Sequence, residues 1–130
     1  MSQSISAAHD DLYTALNAML TGDADPVLAV WSPADDVTYA GPFGGFTSGR
    51  AAVVEAFETT AAMHLHGRIE VTDVAMVEAG DMGYTVCTEH GIDHVVDGQP
   101  VNLVHRATNI FRREADGWHL VHHHTDASGA

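Results

Sequence analysis

The sequence predicts an α+β fold in which helices come first and a curved antiparallel sheet then completes a cone. Three observations support this prediction. Apolar residues recur at helical spacing in the first half of the chain. From Gly67 onward the apolar spacing changes to two, which is typical of strands. Asp97-Gly98, between two such segments, is the dipeptide that favours a two-residue hairpin turn.

The first half is predicted to contain three helices, which span Ile5 to Leu20, Pro26 to Trp31, and Ser48 to about His64. Gly22 ends the first of them, and Asp25-Pro26 is typical of a cap followed by a first helical turn. Ser48 is expected to cap the third helix. Between these helices, Asp36 to Ala40 indicates a short strand, and Gly41 to Phe46 indicates a turn with two aromatic residues.

The second half is predicted to form four strands, which span Arg68 to Val77, Gly83 to Val96, Val101 to Arg113, and Trp118 to Asp126. A hairpin that pairs Val96 with Gln99 places His90 opposite His105. The face of this hairpin expected inside the cone carries Tyr84, Val86, Thr88, His90, Ile92, His94, Val101, Leu103, His105, Ala107, Asn109 and Phe111. On the reverse face, Glu89 is expected to pair with Arg106.

The last strand carries the most informative segment of the chain. Alternation places Trp118, Leu120, His122, His124 and Asp126 on one face, so a face that begins as core ends in titratable groups. This pattern is typical of a pocket wall. By the same alternation, His119 and His123 are expected to face solvent, as is His9.

Composition limits the classes of partner. The 130 residues carry five Lys and Arg against eighteen Asp and Glu, and the net charge of −13 disfavours nucleic acid and anionic membranes. No apolar run is long enough to span a membrane and no signal peptide is recognisable, so a cytoplasmic protein is expected. One domain, residues 1–130, is the default for this length. The single Cys87 excludes an internal disulfide.

Several of these residues resemble the SnoaL-like branch of the nuclear-transport-factor-two superfamily. They are Gly22-Asp23, Trp31, Asp36-Val37, Gly41-Pro42, Gly49 to Val53, Phe57, Arg106 to Thr108, Phe111-Arg112 and Gly117 to His124. The resemblance implies a cone-shaped barrel of a curved sheet wrapped around a long N-terminal helix. It also implies a pocket inside the cone and dimerisation through the sheet. Members of the superfamily include ketosteroid isomerase, polyketide cyclases, dehydratases and non-catalytic oligomerisation domains.

A comparison with ketosteroid isomerase disfavours that particular reaction. Gly41 stands where that enzyme has its general-base aspartate, and Asn109 stands at the position of its oxyanion-hole acid. Tyr13 lies near the position of the catalytic tyrosine, offset by two residues. A steroid isomerase that uses the same residues is therefore not expected.

The sequence offers histidine in place of the general-base aspartate, since an imidazole can transfer protons near neutral pH. We expect His105 to act as base, His90 to set its tautomer, and Asn109 to hold a substrate oxygen. The side chains expected to line the pocket around them are Trp31, Tyr39, Phe43, Tyr84, Phe111, His122, His124 and Asp126. Each histidine has a competing structural interpretation, in which it only satisfies hydrogen bonds in the core.

A metal site is a weaker alternative, since His122-x-His124 with His105 or Asp126 has the residue types of a strand-borne zinc site. Neither a metal nor a cofactor is expected. The predicted function is isomerase, lyase or cyclase chemistry without a cofactor, on a small, largely apolar, carbonyl-bearing molecule. The alternative is a non-catalytic ligand-binding or oligomerisation module. A homodimer is expected, because Val104, Ile110, Val121 and Cys87 would make the second sheet face too apolar for water.

Overall fold

The computed structural model describes residues 3–128, which form three helices and six strands. The helices are α1 (Ile5–Leu20), α2 (Asp25–Val30) and α3 (Arg50–Ala62). The strands are β1 (Thr38–Ala40), β2 (Thr47–Ser48), β3 (Arg68–Ala79), β4 (Met82–Val96), β5 (Gln99–Glu114) and β6 (Gly117–Ala127). The α+β prediction is confirmed, with the predicted helices and strands in order. Only the two-residue β2 was not expected.

All six strands belong to one curved sheet with the order β2-β1-β6-β5-β4-β3. The pairs are antiparallel except β1 with β6, which is parallel. The sheet does not close on itself, because β2 and β3 remain its two edges. The cone-shaped barrel that the resemblance implied is therefore present as an open cone rather than a closed barrel.

Helix α1 fills the concave side of the sheet. Ser4 caps it by accepting a hydrogen bond from the Ala7 amide at 3.1 Å. Gly22, at φ +103°, ends it in a conformation that favours glycine, and a Cβ at this position would lie 2.4 Å from the His64 ring. The buried face of α1 carries Ile5, Ala8, His9, Leu12, Tyr13, Ala15, Leu16, Met19 and Leu20. Among residues 3–128, no helix is long and apolar enough to cross a membrane.

The N-terminus of α3 differs in detail from the expected cap. The cap position is Gly49 rather than Ser48, and it provides no side-chain hydrogen bond. Asp35 replaces it from a distant segment, since its Oδ1 accepts from the Arg50 amide at 3.0 Å. The first turn of α3 is therefore anchored to the loop that precedes β1.

Each long strand pair contains a β-bulge, and the bulge between β4 and β5 changes the predicted register. His94 pairs with Val101 as expected, but Gly91 then pairs with Leu103, so β4 carries one extra residue. Asp93 lies in the bulge at φ +60°, and its amide donates to Asn102 Oδ1 at 2.8 Å. A one-residue shift turns the remaining side chains of a strand to the opposite face. The predicted faces of β4 before Gly91 are therefore reversed.

The pairing of His90 with His105 is consequently wrong. His105 pairs with Glu89, while His90 pairs with Val104 and lies on the outer face. The predicted pair of Glu89 with Arg106 is wrong for the same reason, since Arg106 pairs with Thr88. On β5 no such shift occurs, and the face predicted to lie inside the cone does so.

A second bulge, at Val121, has the same effect on β6. Ile110 pairs with His122 and Phe111 with Leu120, so Val121 is the extra residue between them. Trp118 and Leu120 lie in the core as predicted. Beyond the bulge the inward residues are His123 and Thr125, whereas His122, His124 and Asp126 point outward, contrary to the prediction.

Candidate functional site

A cavity of about 100 Å³ lies between α1, α3 and the concave face of the sheet. Its apolar lining consists of Leu16, Met19, Leu20, Pro42, Phe43, Phe57, Leu65, Ile69, Gly91 and Leu103. Its polar lining consists of Tyr39, Thr60, Glu89, His94, His105, His123 and Thr125. Most of the polar groups come from β4, β5 and β6, so one wall of an otherwise apolar cavity is titratable.

Glu89 is the acidic group of this wall, and its side chain is buried. Tyr13, from α1, donates a hydrogen bond from its hydroxyl to Glu89 Oε2 at 2.7 Å. Burial raises the pKa of the Glu89 carboxyl, and the hydrogen bond from Tyr13 opposes this shift. A buried carboxyl with a raised pKa holds its proton more readily than an exposed one, so such a group in a cavity is a candidate for acid–base chemistry.

Asn109 connects Tyr13 to the neighbouring strands. Its Nδ2 donates to the Tyr13 hydroxyl at 3.1 Å and to Thr85 Oγ1 at 3.2 Å, and its Oδ1 is hydrogen-bonded to His123 Nδ1. Asn109 is fully buried and does not line the cavity. Its amide is thus engaged with protein side chains rather than presented to a ligand.

His123 lines the cavity from β6. Burial lowers its pKa to about 3, with the neighbouring His122 and His124 adding to the shift. Its Nε2 lies 4.0 Å from Glu89 Oε2, and its ring stacks on Tyr39 with a centroid distance of 5.8 Å. Because burial favours the neutral form of both partners, we treat Glu89 and His123 as a neutral pair rather than an ion pair.

His105 and His94 complete the wall. His94 Nδ1 donates to the His66 carbonyl at 2.8 Å, which leaves its Nε2 as an acceptor when the ring is neutral. His105 is half-buried, and its ring nitrogens have no hydrogen-bond partner among residues 3–128. Burial lowers the pKa of His105, the nearby His94 adds to this, and Asp126 opposes it. His105 is therefore a neutral imidazole near pH 7, free to accept a proton.

Three of the predicted site residues line the cavity, namely His105, Tyr39 and Phe43. Trp31 and Phe111 are buried in the core beside it. Five further residues lie on the outer face of the sheet, because the two bulges turn them away from the cone: His90, Tyr84, His122, His124 and Asp126. None of these five side chains lines the cavity. Asn109, which was predicted to hold a substrate oxygen, does not line it either.

The outer-face groups have other partners. His90 Nε2 is hydrogen-bonded to Thr72 Oγ1 at 2.8 Å, and His122 Nδ1 to Thr38 Oγ1 at 2.7 Å. Asp126 forms an exposed ion pair with Arg106 at 2.8 Å. Within residues 3–128 no group of three or more His, Cys, Asp or Glu side chains is arranged to hold a metal ion.

The sequence interpretation missed Glu89, His123 and Thr125 as cavity residues, and it placed His9 in solvent although it is buried. It placed His94 on the inner face of the hairpin but did not name it as a pocket residue. Gly91 was an available signal, since glycine inside a strand often marks a bulge or a close approach. A Cβ at Gly91 would lie 2.4 Å from His94 Nε2, so the glycine makes room for that ring. Leu120-Val121 was a second signal, because two consecutive apolar residues break the alternation.

An open α+β cone around a small cavity, with acid and imidazole groups on one wall, defines the class as that of the NTF2-like superfamily. Within it, this chain belongs to the family of SnoaL-like domains, whose model matches residues 5–126. No curated protein sequence is significantly similar to the chain.

Two solved structures are similar over nearly the full length. One is a candidate dehydratase of the NTF2-like family from Streptomyces avermitilis, with 28% identity, a TM-score of 0.84, and coverage of 97% of this chain and 95% of that one. The other is a candidate calcium/calmodulin-dependent protein kinase type II association domain from Thiobacillus denitrificans. It has 29% identity, a TM-score of 0.82, and coverage of 99% and 98%.

A ketosteroid isomerase-like protein from Erwinia carotovora is also similar, with 18% identity, a TM-score of 0.76, and coverage of 97% of this chain and 95% of that one. At this identity the similarity concerns the fold alone. These three proteins thus share one fold, but their names differ: a candidate dehydratase, a ketosteroid isomerase-like protein and a candidate kinase association domain.

Proposed function

We propose that the protein is a cofactor-independent isomerase or lyase that acts by proton transfer on a small, largely apolar, carbonyl-bearing molecule. The observation that carries this proposal is the opposition of His105 and Glu89 across β5 and β4, inside one apolar cavity. Directly opposite residues in an antiparallel pair have Cβ atoms about 5 Å apart, so both side chains can reach one ligand.

The two groups have complementary proton states. The lowered pKa of His105 keeps its imidazole neutral near pH 7, and the raised pKa of Glu89 favours its protonated form. A neutral imidazole is suited to accept a proton from the carbon beside a carbonyl. A protonated carboxyl is suited to return one, and two titratable groups with opposite shifts are typical of acid–base sites.

The proposed step conserves protons in either of two outcomes. His105 takes the proton as the carbon–hydrogen bond breaks, and the electron pair moves into the adjacent carbonyl system. In an isomerisation, Glu89 then protonates a different carbon. In a dehydration, Glu89 protonates a departing hydroxyl, a carbon–oxygen bond breaks and water leaves.

The cavity lining supports a ligand with an apolar body. Leu16, Met19, Phe57 and Leu103 provide apolar contact surface, and Phe43 stands at the opening with 76% of its surface exposed. An aromatic side chain left in water beside a cavity is suited to cover an apolar ligand.

The test is turnover of a panel of small enones and β-hydroxy ketones by the wild type and by His105→Ala. We expect the substitution to lower turnover roughly a hundredfold or more, the scale of losing a general base. His119→Ala is the matched control, since His119 lies on the outer side and bonds to Asp116 at 2.7 Å. Equal turnover in wild type and a folded His105→Ala variant would remove His105 from the reaction.

The alternative is a non-catalytic ligand-binding or oligomerisation module. It is favoured by Tyr13 and Asn109, whose polar atoms are all engaged inside the protein, and by the likeness to the candidate association domain. Ligand binding without turnover of any panel member would support this alternative.

We also propose that the protein is a homodimer that associates through the outer face of the sheet. Val77, Met82, Tyr84, Val86 and Ile110 form an apolar surface there, and Tyr84 is 41% exposed. Val121 and Cys87, which the sequence placed on this face, are instead buried inside. Light scattering at micromolar concentration should return twice the 13.8 kDa mass of one chain, and a one-chain mass would reject the dimer.

A further inference from the structure

We infer that the cavity contains a subsite for a hydroxyl group, formed by His123 Nε2 and Thr125 Oγ1 on β6. This inference rests on the proposed function in one respect, since it names a chemical feature of the substrate that the same cavity would receive. It does not depend on which residue removes a proton.

The donor and acceptor of each buried hydrogen bond can be assigned in turn, starting from Glu89. Its Oε2 accepts from the Tyr13 hydroxyl at 2.7 Å, so the single proton of that hydroxyl is committed to the carboxyl. With its proton committed to Glu89, the Tyr13 oxygen can act only as an acceptor. It accepts from Asn109 Nδ2 at 3.1 Å and from the Cys87 thiol at 3.2 Å. Asn109 Oδ1, the remaining end of the amide, must be the acceptor that faces His123.

This orientation determines the tautomer of His123. Because Asn109 Oδ1 can only accept, His123 Nδ1 must carry the proton that joins them. A neutral imidazole carries only one such proton, so Nε2 is left with a lone pair. Nε2 has no hydrogen-bond partner within residues 3–128, and its ring lines the cavity. Asn109 is thus a positioning residue that makes Nε2 an acceptor.

Thr125 provides the second group. It is the next inward residue on β6, it lines the same cavity, and only 3% of its surface is exposed. Its Oγ1 is buried without a hydrogen-bond partner. Buried hydroxyl groups are normally hydrogen-bonded, so an unpartnered one on a residue that lines a cavity is a candidate to bond a ligand there.

The two groups match the chemistry of an alcohol. Residues two apart on a strand have Cα atoms about 6.6 Å apart and side chains on the same face. Two hydrogen bonds of about 2.8 Å that meet at one oxygen span at most about 5.6 Å, so the subsite requires the His123 ring and the Thr125 hydroxyl to lean towards each other. A ligand hydroxyl can donate to His123 Nε2 and accept from the Thr125 hydroxyl at once. A ketone or ether oxygen has no proton to give to Nε2. The subsite therefore favours a hydroxylated ligand over the matching ketone or ether.

The first experiment reads the tautomer directly in the ligand-free protein. Long-range proton–nitrogen NMR on nitrogen-labelled protein should show His123 protonated at Nδ1 and not at Nε2. Asn109→Asp retains an acceptor for Nδ1 and should keep this tautomer. Asn109→Leu removes the acceptor and should abolish the fixed preference. A wild-type His123 protonated at Nε2 would overturn the inference.

The second experiment measures binding of cyclohexanol, cyclohexanone and methoxycyclohexane by NMR titration of cavity residues. We expect cyclohexanol to bind about tenfold more tightly than the other two, the scale of one net hydrogen bond. Thr125→Val, which keeps the side-chain shape, should remove this preference, and Thr125→Ser should restore it. Equal affinities in the wild type, or no detectable binding of cyclohexanol, would count against the subsite.

The results separate this inference from the proposed function. If His105→Ala leaves turnover unchanged but cyclohexanol is preferred, the subsite stands and the role of His105 falls. If His105→Ala abolishes turnover while the three ligands bind equally, the proton-transfer proposal stands and the subsite falls.

Discussion

The two faces of β6 carry the same residue type in two different environments. His122, His123 and His124 are consecutive in the chain, yet His123 is buried in the cavity wall and His124 is exposed. Burial lowers the pKa of His123 to about 3. The pKa of the outward His122 is also lowered, but the group is only half-buried and bonds to Thr38. For one and the same residue type, the face of the strand on which the side chain lies therefore changes its protonation.

The same contrast holds for the whole sheet. Its inner face combines an acid, imidazoles and hydroxyl groups with an apolar cavity. Glu89, Tyr13, Asn109 and Thr85 form a buried hydrogen-bond network there. Its outer face combines exposed ion pairs, such as Arg106 with Asp126, with apolar side chains such as Tyr84. Exposed ion pairs contribute little to stability, whereas a buried polar network is costly to interrupt.

The largest expected effect that distinguishes the two faces is on stability. We expect His123→Ala to lower the free energy of unfolding by about 2–4 kcal/mol, because it leaves a buried gap and deprives Asn109 of a partner. His124→Ala should change it by no more than about 0.5 kcal/mol, since His124 is exposed. Urea denaturation of both variants at pH 7 measures the difference. Similar losses in the two variants would contradict the assignment of faces.

A smaller effect concerns the dependence of stability on pH. The folded-state pKa of His123, about 3, lies below the 6.5 of an exposed imidazole. Between these values the unfolded chain binds a proton that the folded chain does not. The contribution of His123 to stability is therefore fully present above pH 6.5 and is lost as the pH falls toward 3.

The penalty of His123→Ala should accordingly shrink by up to about 1.4 kcal/mol for each pH unit below 6.5. Comparing the variant with the wild type also removes the opposite contribution of Glu89. The raised pKa of Glu89 gives a contribution that is present at low pH and lost as the pH rises through its folded-state value. Parallel stability curves for wild type and His123→Ala between pH 5 and pH 7 would show that His123 does not stay neutral.

The smallest expected effect is that of a chelator. His122 and His124 are the residues that the sequence offered for a metal, and both lie on the outer face, where His122 is bonded to Thr38. We expect dialysis against EDTA to shift the melting temperature of untagged protein by less than about 1 °C, because no bound ion would be linked to folding. Near-stoichiometric zinc in untagged protein, lost in His124→Ala, would reverse this expectation.

The sequence predicted the elements and one strand face correctly for identifiable reasons. The periodicity of α1, the stop at Gly22 and the turn at Asp97-Gly98 are local signals, and local signals determine where elements begin and end. On β5 the predicted inner face is correct along its length, because the bulges interrupt β4 and β6 rather than β5. His105 was therefore placed in the cavity correctly.

The rest of the site was missed because a bulge is a property of a strand pair. The alternation rule counts residues along one strand and assumes that the partner strand has the same number of residues between paired positions. The extra residue beside Asp93 exchanges His90 for Glu89 at the position opposite His105. The extra residue Val121 exchanges His122 and His124 for His123 and Thr125. The predicted residue types were near the cavity, but the residues on its wall were their neighbours in the chain.

The bulge at Val121 also makes the end of β6 sensitive to the length of the chain. Removing this single residue would restore regular alternation along β6. The residues on one side of the deletion, either those up to Leu120 or those from His122 onward, would then have to exchange the inner face for the outer face. Substitutions alter the cavity wall one group at a time, whereas a one-codon deletion here would exchange several groups at once. Among homologous chains, insertions and deletions at this point are therefore a route by which one scaffold could acquire a different set of reactive side chains.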